Sequence, residues 1–522
     1  MAACALVASC VDVDKQVGEN LIPGNQDYVF YTTEFDLDDI KLAQADSLSG
    51  YDFYRITIGS IRDNGTFGLT RKSSAFYLCP VVDTIDYGEP GTQQFIKFHI
   101  SAPHDTTSYE RSDQAYILQN INVYALDEPM DTKKGVPELV YDKTKRISKN
   151  IPVYNGVDSL SIDLTAEYGQ KYLTITQEEL DDLSLYLKRF PGIVLSTDDP
   201  IGEGGRINMF RLPIDVTSSS ITGSYATLYF SAVYEGARKD TSFVFYLGPA
   251  EKYDFKDVTD TNVSSYPQYA FNYSEHSSKE LEGDADDVLL FEGGRGIKPV
   301  IKASAIRERL AAEVIAKGGN PKSVVINKAS LDLPFEMPED YLELDYYPTT
   351  MSPTCRVENS DGRVSFVGIT DNSISSEDPG TINRSLLTYT PDITYHVQQL
   401  LRLEDESKIN NYDIWFLALA NEEITTTSTT SSEMSDYYMQ LAYSSYYNSM
   451  YGAGYGSSYG YNSYYNNYYN YMMMASMMNT SSTTTETQSL MDCNRYYRGI
   501  LNGPAASRHP KITVIYAIPS ED

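Results

Sequence analysis

The chain has 522 residues, of which 41% are hydrophobic and 22% charged, so it can build buried cores in about two to four domains. Its formal net charge of −31 excludes nucleic acid as a partner, because phosphate backbones attract basic surfaces. An acidic surface is also repelled by anionic lipid, so attachment to a membrane requires an anchor.

The first ten residues have the pattern of a bacterial lipoprotein signal. The short apolar run Leu6-Val7-Ala8-Ser9 precedes Cys10. Small residues before a cysteine are typical of a lipobox, and the run is too short to span a bilayer, which takes about 20 residues. The basic n-region would lie upstream of Met1, since residues 1–9 contain no Lys or Arg. The alternative is an apolar N-terminus without a signal function.

The lipobox interpretation predicts a signal-peptide remnant over 1–9, lipidation of Cys10 and a tether over 10–27. The acidic stretch Val11-Asp12-Val13-Asp14-Lys15 resembles the surface-export signal of Bacteroidetes lipoproteins. A solvated tether would use the same polar residues. We therefore expect a lipid-anchored protein of the outer membrane that is exposed at the cell surface.

An antiparallel β-sandwich domain of the jelly-roll type is predicted over 28–250. Its strands are runs of β-branched and aromatic residues, found at 28–33, 74–78, 94–100, 121–126, 193–196, 208–212, 225–234 and 242–247. Asn64-Gly65 indicates a tight reversal, and the polar residues 235–240 indicate the turn of a hairpin.

One helix is predicted in this domain, over 176–190. Thr176 and Glu179 have the spacing of a capping box. An apolar stripe follows at Leu180, Leu183 and Leu187. The acidic residues of the first turns complement the helix dipole, so they need no catalytic explanation.

Residues 251–285 are polar and are predicted to connect this domain to a second β-sandwich over 286–522. The second domain has a predicted helix over 304–317, which ends at Gly318-Gly319. Its clearest strands are at 288–291, 324–333, 412–419 and 511–518.

A glycine-rich turn, Glu292-Gly293-Gly294-Arg295-Gly296, follows the first strand of the second domain. Glycines at such a place can cradle a phosphate. The dinucleotide and P-loop signatures, however, need a defined glycine spacing that this turn lacks. Nucleotide binding is therefore not expected.

A low-complexity insertion over 424–490 interrupts the second domain. Threonine and serine are followed by a run of Tyr, Asn, Ser, Gly and Met over 437–478. This composition cannot bury a packed core and is typical of disordered segments. The alternative is that its tyrosines stack on sugar rings.

No motif predicts a catalytic, cofactor-binding or metal site. The five histidines share no short motif, and Cys79, Cys355 and Cys493 are too widely spaced to suggest a zinc site, so free thiols are expected. Among the 72 acidic residues, two carboxylates could by chance lie on either side of a sugar, as a glycoside hydrolase requires. That enzyme class is the alternative function.

Four tyrosines on the predicted hairpin could form a platform for a glycan: Tyr225, Tyr229, Tyr234 and Tyr246. Alternation along a strand places Tyr225 and Tyr229 on one face and Tyr234 on the other. Core packing explains one of these faces. An outward-facing set would stack on sugars.

The chain resembles the Bacteroidetes lipoprotein family known as domain of unknown function 4270. The likeness covers nearly the whole chain except the Tyr-rich insertion and rests on the lipobox at Cys10 and on the segments 58–68, 190–193, 292–296, 326–331 and 508–511. It implies export, an outer-membrane anchor and a β-rich body, and it brings no catalytic residues. We expect a non-catalytic cell-envelope lipoprotein that binds a glycan or belongs to an outer-membrane protein complex.

The lipobox gives the first testable prediction. Cys10→Ala, in the chain with its full native signal, should move the protein from the detergent-extracted membrane to the soluble or unprocessed fraction. Fractionation followed by immunoblotting measures this, with Cys4→Ala as the control. Unchanged partitioning of the Cys10 variant would contradict lipidation.

Overall fold

The computed structural model describes residues 28–519, except 53, 81–83, 106–108, 132–133, 217–220, 249–264, 267, 269, 359–363, 375–376 and 429–481. The predicted signal remnant, the tether with Cys10 and most of the insertion lie outside these residues. The described part is mainly β, with antiparallel sheets and a few short helices, and the predicted β-sandwich-like class is confirmed. No helix in it combines the length and apolar character needed to cross a bilayer.

The strands are numbered in chain order. Those up to residue 276 are β1 Tyr28–Asp36, β2 Ile40–Gln44, β3 Tyr51–Asp52, β4 Arg55–Asp63, β5 Gly68–Pro80, β6 Gln94–Ala102, β7 Tyr109–Arg111, β8 Gln119–Ala125, β9 Val153–Tyr154, β10 Leu160–Asp163, β11 Ile193–Thr197, β12 Gly204–Arg211, β13 Ile214–Val216, β14 Ile221–Gly223, β15 Tyr225–Tyr234, β16 Ala237–Gly248, β17 Ser265–Tyr266 and β18 Ala270–His276.

The remaining strands are β19 Gly283–Asp284, β20 Val288–Glu292, β21 Ile297–Ile301, β22 Val325–Pro334, β23 Thr350–Glu358, β24 Val364–Gly368, β25 Ile382–Asn383, β26 Thr388–Tyr389, β27 Ile414–Ser428, β28 Ser482–Met491, β29 Arg498–Asn502 and β30 Lys511–Pro519. The α-helices are α1 Ala166–Gln170, α2 Gln177–Asp181, α3 Leu183–Arg189, α4 Ala303–Ala316 and α5 Thr394–Arg402.

The two halves are nested rather than consecutive. Strands β3 to β18 pair only among themselves and form the first half. Strand β1 pairs with β30, and β2 pairs with β21, so both belong to the second half. The domain boundaries therefore differ from the prediction at both ends, because 28–44 joins the second half and β18, inside the predicted connection 251–285, pairs with β5 of the first half.

Strand β5 organises the first half. Its N-terminal part lies between β4 and β18, and its C-terminal part lies between β11 and β16. One long strand thus passes from one sheet layer into the next. Aromatic side chains such as Phe76, Phe98 and Phe210 are completely buried in the core of this half.

The helix predicted over 176–190 is divided into α2 and α3. Its capping box is confirmed: the Thr176 N–H donates to Glu179 Oε2 at 2.8 Å, and the Glu179 N–H donates to Thr176 Oγ1 at 3.3 Å. Asp182 then adopts an extended backbone and its side chain accepts from Ser184 N at 2.9 Å, so it caps a new helix. This competing cap explains the break.

Two predicted turns lie in the expected places with a different geometry. The hairpin of β15 and β16 turns on Glu235 and Gly236 alone, whose φ angles of 51° and 77° are those of a type I′ turn. The polar residues 237–240 continue the strand and are exposed. In the reversal after β4, the positive φ of 70° belongs to Gly68 rather than to Asn64-Gly65.

The core of the second half follows the predicted periodicities closely. Ile306, Leu310 and Val314 of α4 are buried, and the helix ends before Gly318, whose φ is 82°. On β22, Ala329 and alternate residues towards the C-terminus are buried, as the strand pattern predicted. Helix α5, which was not predicted, packs in the same core.

The low-complexity insertion begins later and ends earlier than predicted. Strands β27 and β28 pair from Leu419↔Met491 to Ser428↔Ser482, so both ends of the predicted 424–490 segment form a two-stranded ribbon. Threonine is β-branched and favours strands, although repeats of it have the appearance of low complexity. The predicted disorder of the remaining part, 429–481, lies outside the described residues.

The ribbon gives the second prediction. Because Ser428 and Ser482 are directly opposite, an Asn-Gly dipeptide can replace 429–481 as a type I′ turn. The thermal midpoint should stay the same or rise by a few degrees, since a shorter loop costs less closure entropy, about 0.6 kcal/mol for each halving. Thermal unfolding followed by circular dichroism measures this. A fall of more than about 4 °C would show that 429–481 stabilises the body.

Candidate functional site at the junction of the two halves

A single stretch of chain, the junction segment 492–498, lies between the two halves. Its sequence is Asp492-Cys493-Asn494-Arg495-Tyr496-Tyr497-Arg498, and it runs from the end of β28 to Arg498, the first residue of β29. Both of its arginines and its aspartate are buried. Buried charges are costly unless they are paired, so their partners define the junction.

The first ion network joins the halves through Glu422 of β27. Arg55 of β4 holds this carboxylate with two parallel hydrogen bonds of 2.7 and 2.9 Å, the bidentate geometry that makes such pairs strong. Arg495 contacts Glu422 at 2.7 Å and Asp492 at 2.7 Å. Asp105 completes the network at 2.9 Å from Arg55 Nε. Burial lowers the pKa of Arg55, but the bond to Glu422 outweighs it and keeps the pKa raised.

A second network contains one acid and one arginine from each half. Arg498 donates to Asp63 at 2.5 Å and also to Glu343, and Arg111 donates to Glu343 at 2.9 Å. Both guanidinium groups lie over the ring of Tyr346, at 5.2 and 5.6 Å from its centroid. Arg498 and Asp63 are buried, whereas Arg111 and Glu343 are partly exposed, and both arginines share one aromatic face.

The glycine-rich turn receives the junction segment. The Gly293 N–H donates to Tyr497 O at 2.7 Å. A Cβ atom on Gly293 would lie 2.5 Å from Arg495 O, and one on Gly294 would lie 2.7 Å from Cys493 O. These glycines therefore allow two backbones to approach closely, a role that their sequence pattern does not distinguish from phosphate binding.

Buried polar groups lie beside this turn. His276 Nδ1 is 3.1 Å from Glu292 Oε1, and Lys298 donates to the Glu292 carbonyl. Burial lowers the pKa of Lys298 to about 7 and that of Lys72 to about 8. Lys72 donates to Ser274 at 2.5 Å. His276 of β18 thus joins the first half to the glycine-rich turn through a polar contact.

A cavity of about 140 Å³ lies beside the first network, and we call it the junction cavity. Strand β3 of the first half forms one wall, and β24, β27 and β28 of the second half form the others. Leu48, Phe366 and Met491 make part of it apolar. Trp415, the single tryptophan of the chain, packs edge-on against Phe366 with ring centroids 5.5 Å apart.

Three carboxylates line the junction cavity: those of Asp52, Glu422 and Asp492. Asp52 is the exception among them, because no salt bridge in the described part of the chain joins it. Its oxygens accept from Arg55 N at 2.8 Å, from Tyr54 N and from the Asn494 side-chain amide. Burial raises the pKa of Asp52 to about 6, although Arg55 opposes the shift.

The carboxylates of the junction cavity can be compared with those that a glycoside hydrolase needs. Glycoside hydrolysis requires a carboxylic acid and a second carboxylate that faces the sugar or an attacking water. Asp52 has the raised pKa of an acid, but Glu422 and Asp492 are engaged by arginines in the manner of structural ion pairs. The junction cavity therefore gives the hydrolase no acid–nucleophile pair.

The three described cysteines are free, as expected. Cys355 Sγ lies 3.9 Å from His396 Nδ1, a pairing that could suggest a nucleophilic dyad. Burial raises the pKa of Cys355 to about 12 and lowers that of His396 to about 4, so both groups stay neutral. In the described ranges, no group of His, Cys, Asp and Glu side chains has the arrangement to hold a metal ion.

The four tyrosines proposed as a glycan platform do not come together on an open face. Tyr246 is completely buried, and Tyr225 and Tyr234 are half-buried. The Tyr234 hydroxyl donates to Asp86 O at 2.9 Å. Tyr229 is the exposed member, so core packing explains the rest.

Searches of protein-family models, of curated proteins and of solved structures found no match to this chain.

The second ion network gives the third prediction. Arg498→Met leaves the buried Asp63 and the half-buried Glu343 without this partner and should lower the free energy of unfolding by about 3–5 kcal/mol. Arg71→Met is the matched control, because Arg71 also contacts two carboxylates, those of Asp199 and Glu275, at the surface. The Arg71 side chain is 49% exposed against 7% for Arg498, so the control should lose at most about 1 kcal/mol. Denaturant unfolding gives both values, and equal losses would contradict the role of the network.

Proposed function

We propose that this chain is a non-catalytic lipoprotein of the cell envelope, anchored in the outer membrane through a lipid on Cys10 and exposed at the cell surface. We further propose that it serves as a subunit of an outer-membrane protein complex. The lipobox pattern and the likeness to the Bacteroidetes family support the location. The observation that supports the role of subunit is an exposed apolar surface on the first half.

This surface, the end patch, consists of five side chains that are largely exposed: Tyr116, Ile117, Leu118, Val157 and Ile201. Ile201 is 96% exposed and Tyr116 is 79% exposed. Clustered apolar exposure of this kind marks interaction sites, whereas single exposed residues need no explanation.

A buried arginine holds the loops of the end patch in place. Arg206 donates to Ala115 O at 2.5 Å, to Tyr154 O at 3.0 Å and to Asn155 O at 3.3 Å, so it joins the loop of 116–118 to the turn that carries Val157. The Ser112 hydroxyl donates to Glu203 O at 2.6 Å, and this bond holds the turn that carries Ile201 against the segment that precedes the loop of 116–118. The exposed side chains therefore stand on fixed backbone.

The chemistry of the end patch favours a protein as its binding partner. Four of its five side chains are aliphatic, and aliphatic groups complement an apolar protein surface better than they complement a sugar. The net charge of −31 disfavours insertion into an anionic bilayer.

A glycan is the second candidate ligand, and Tyr229 favours it. This ring is 41% exposed on β15, directly opposite Lys97 of β6. Sugar recognition would combine stacking on the ring with a hydrogen bond from the lysine. A single ring gives weak binding, so this candidate ranks below the protein partner. The glycoside hydrolase remains the alternative from the enzyme class.

The end patch gives the fourth prediction. The double variant Leu118→Asp and Val157→Asp should lose a membrane-protein partner that co-purifies with the native chain from solubilised membranes, because charge in an apolar interface is costly. Affinity purification followed by mass spectrometry identifies the partner.

Ile315→Asp is the matched control, since Ile315 is 62% exposed on α4 of the second half, whereas the end patch lies on the first half. This control should retain the partner. Co-purification that survives in the double variant would contradict the end patch as the interface. Release of reducing sugar by the native chain would support the hydrolase instead.

A further inference from the structure

We propose that one end of the second half rests in the headgroup region of the bilayer that anchors the chain. This surface, the β1 tip, consists of six exposed side chains: Tyr28, Val29, Phe30, Lys317, Lys322 and Ile515. The inference rests on the proposed lipidation of Cys10 and deepens it, because a second contact with the membrane fixes the orientation of the body.

Three strands and a helix bring the β1 tip together. Phe30 of β1 and Val325 of β22 both pair with Ala517 of β30, so the three strands lie side by side at this end. Helix α4 ends at the same place, because Lys317 Nζ lies 5.7 Å from the centroid of the Tyr31 ring. The tip is therefore one continuous part of the second half.

The apolar side chains of the β1 tip are open to solvent. Phe30 is 64% exposed, and Tyr28 and Val29 are each 46% exposed. Successive side chains of a strand point to opposite faces, so these three surround the start of β1. Clustered apolar exposure marks sites of contact with proteins or membranes. An amphipathic ring such as that of Tyr28 is typical of the level of the lipid headgroups.

The charge of the β1 tip differs from that of the whole chain. Lys317 and Lys322 are exposed there, and Glu313 is the acidic residue that precedes them on α4. Strand β1 carries its own acids, Glu34 and Asp36, at its other end. Lysines beside an apolar surface attract anionic headgroups. The net charge of −31 therefore does not prevent this end from approaching a bilayer.

The place of the lipid on the chain favours a bilayer as the occupant of the β1 tip. Tyr28 follows Cys10 by 18 positions (28 − 10), so the two are at most about 65 Å apart. A solvated tether of that length has a root-mean-square span of about 25 Å. The start of β1 is thus the part of the body that the lipid holds close to the membrane.

Quenching by brominated lipid measures the contact. The full lipidated chain is reconstituted into vesicles of equal parts phosphatidylcholine and phosphatidylglycerol, with and without brominated acyl chains. Tyr28→Trp adds a reporter to the tip. Tyr341→Trp is the matched control, since Tyr341 is 71% exposed on the short 3₁₀ helix Tyr341–Tyr346 of the same half. Trp415 gives the same background in both variants.

We expect brominated lipid to reduce the fluorescence added by Tyr28→Trp about twofold or more, because the ring lies at headgroup level. The fluorescence added by Tyr341→Trp should stay unchanged. Equal quenching in the two variants, or quenching in neither, would overturn the β1 tip as a membrane contact. Thermal unfolding checks that both variants keep the fold.

Flotation of the vesicles separates this inference from the proposed function. A native chain that does not float has no lipid anchor, and both proposals are then wrong. A chain that floats without quenching at residue 28 retains its anchor and overturns the β1 tip alone.

A second copy of the chain is the competing occupant, because β1 is the edge of its sheet and such edges can pair with another chain. Sedimentation of the native chain in detergent distinguishes the two. A dimer that Phe30→Lys dissociates would assign the tip to self-pairing and overturn the membrane contact. A monomer together with quenching at residue 28 would support the bilayer.

Discussion

The buried guanidinium–carboxylate pairs of the junction hold the two halves in one arrangement, and the surrounding geometry depends on them. Arg498 and Arg495 reach the junction from one short segment and meet acids on both sides of it. Because these charges are buried, a guanidinium group or carboxylate that lost its partner would be left uncompensated. The glycine-rich turn and the junction cavity take their shape from this arrangement.

Local patterns in the sequence predict the local structure well. The capping box of Thr176 and Glu179, the stripe of α4 and the alternation along β22 each depend on neighbours within a few positions, so periodicity and side-chain chemistry suffice. The division at Asp182 escaped prediction because two caps compete there, and only packing decides between one helix and two.

The junction could not be predicted, because its partners are far apart in the sequence. Arg498 and Asp63 are separated by 435 positions, and Arg55 and Glu422 by 367. Composition shows that many acids and few arginines are present, but not which of them are buried together. One signal was available: the density of charged and aromatic residues in 492–498, directly after a low-complexity stretch, is unusual for a loop. The cavity has no sequence signature, since its walls come from five separate stretches.

The nesting of one half within the other has a consequence for biogenesis. Strands β3 to β18 can pair as soon as residue 276 has been made, whereas β1 must wait for β30, whose Lys511 bonds to Glu34 across 477 positions. Until then β1 has no partner strand, whereas β2 can pair with β19 and β21 once residue 301 has been made. Contacts of the range that joins β1 to β30 form slowly. A chain that is synthesised from its N-terminus therefore keeps its first strand unpaired for longest.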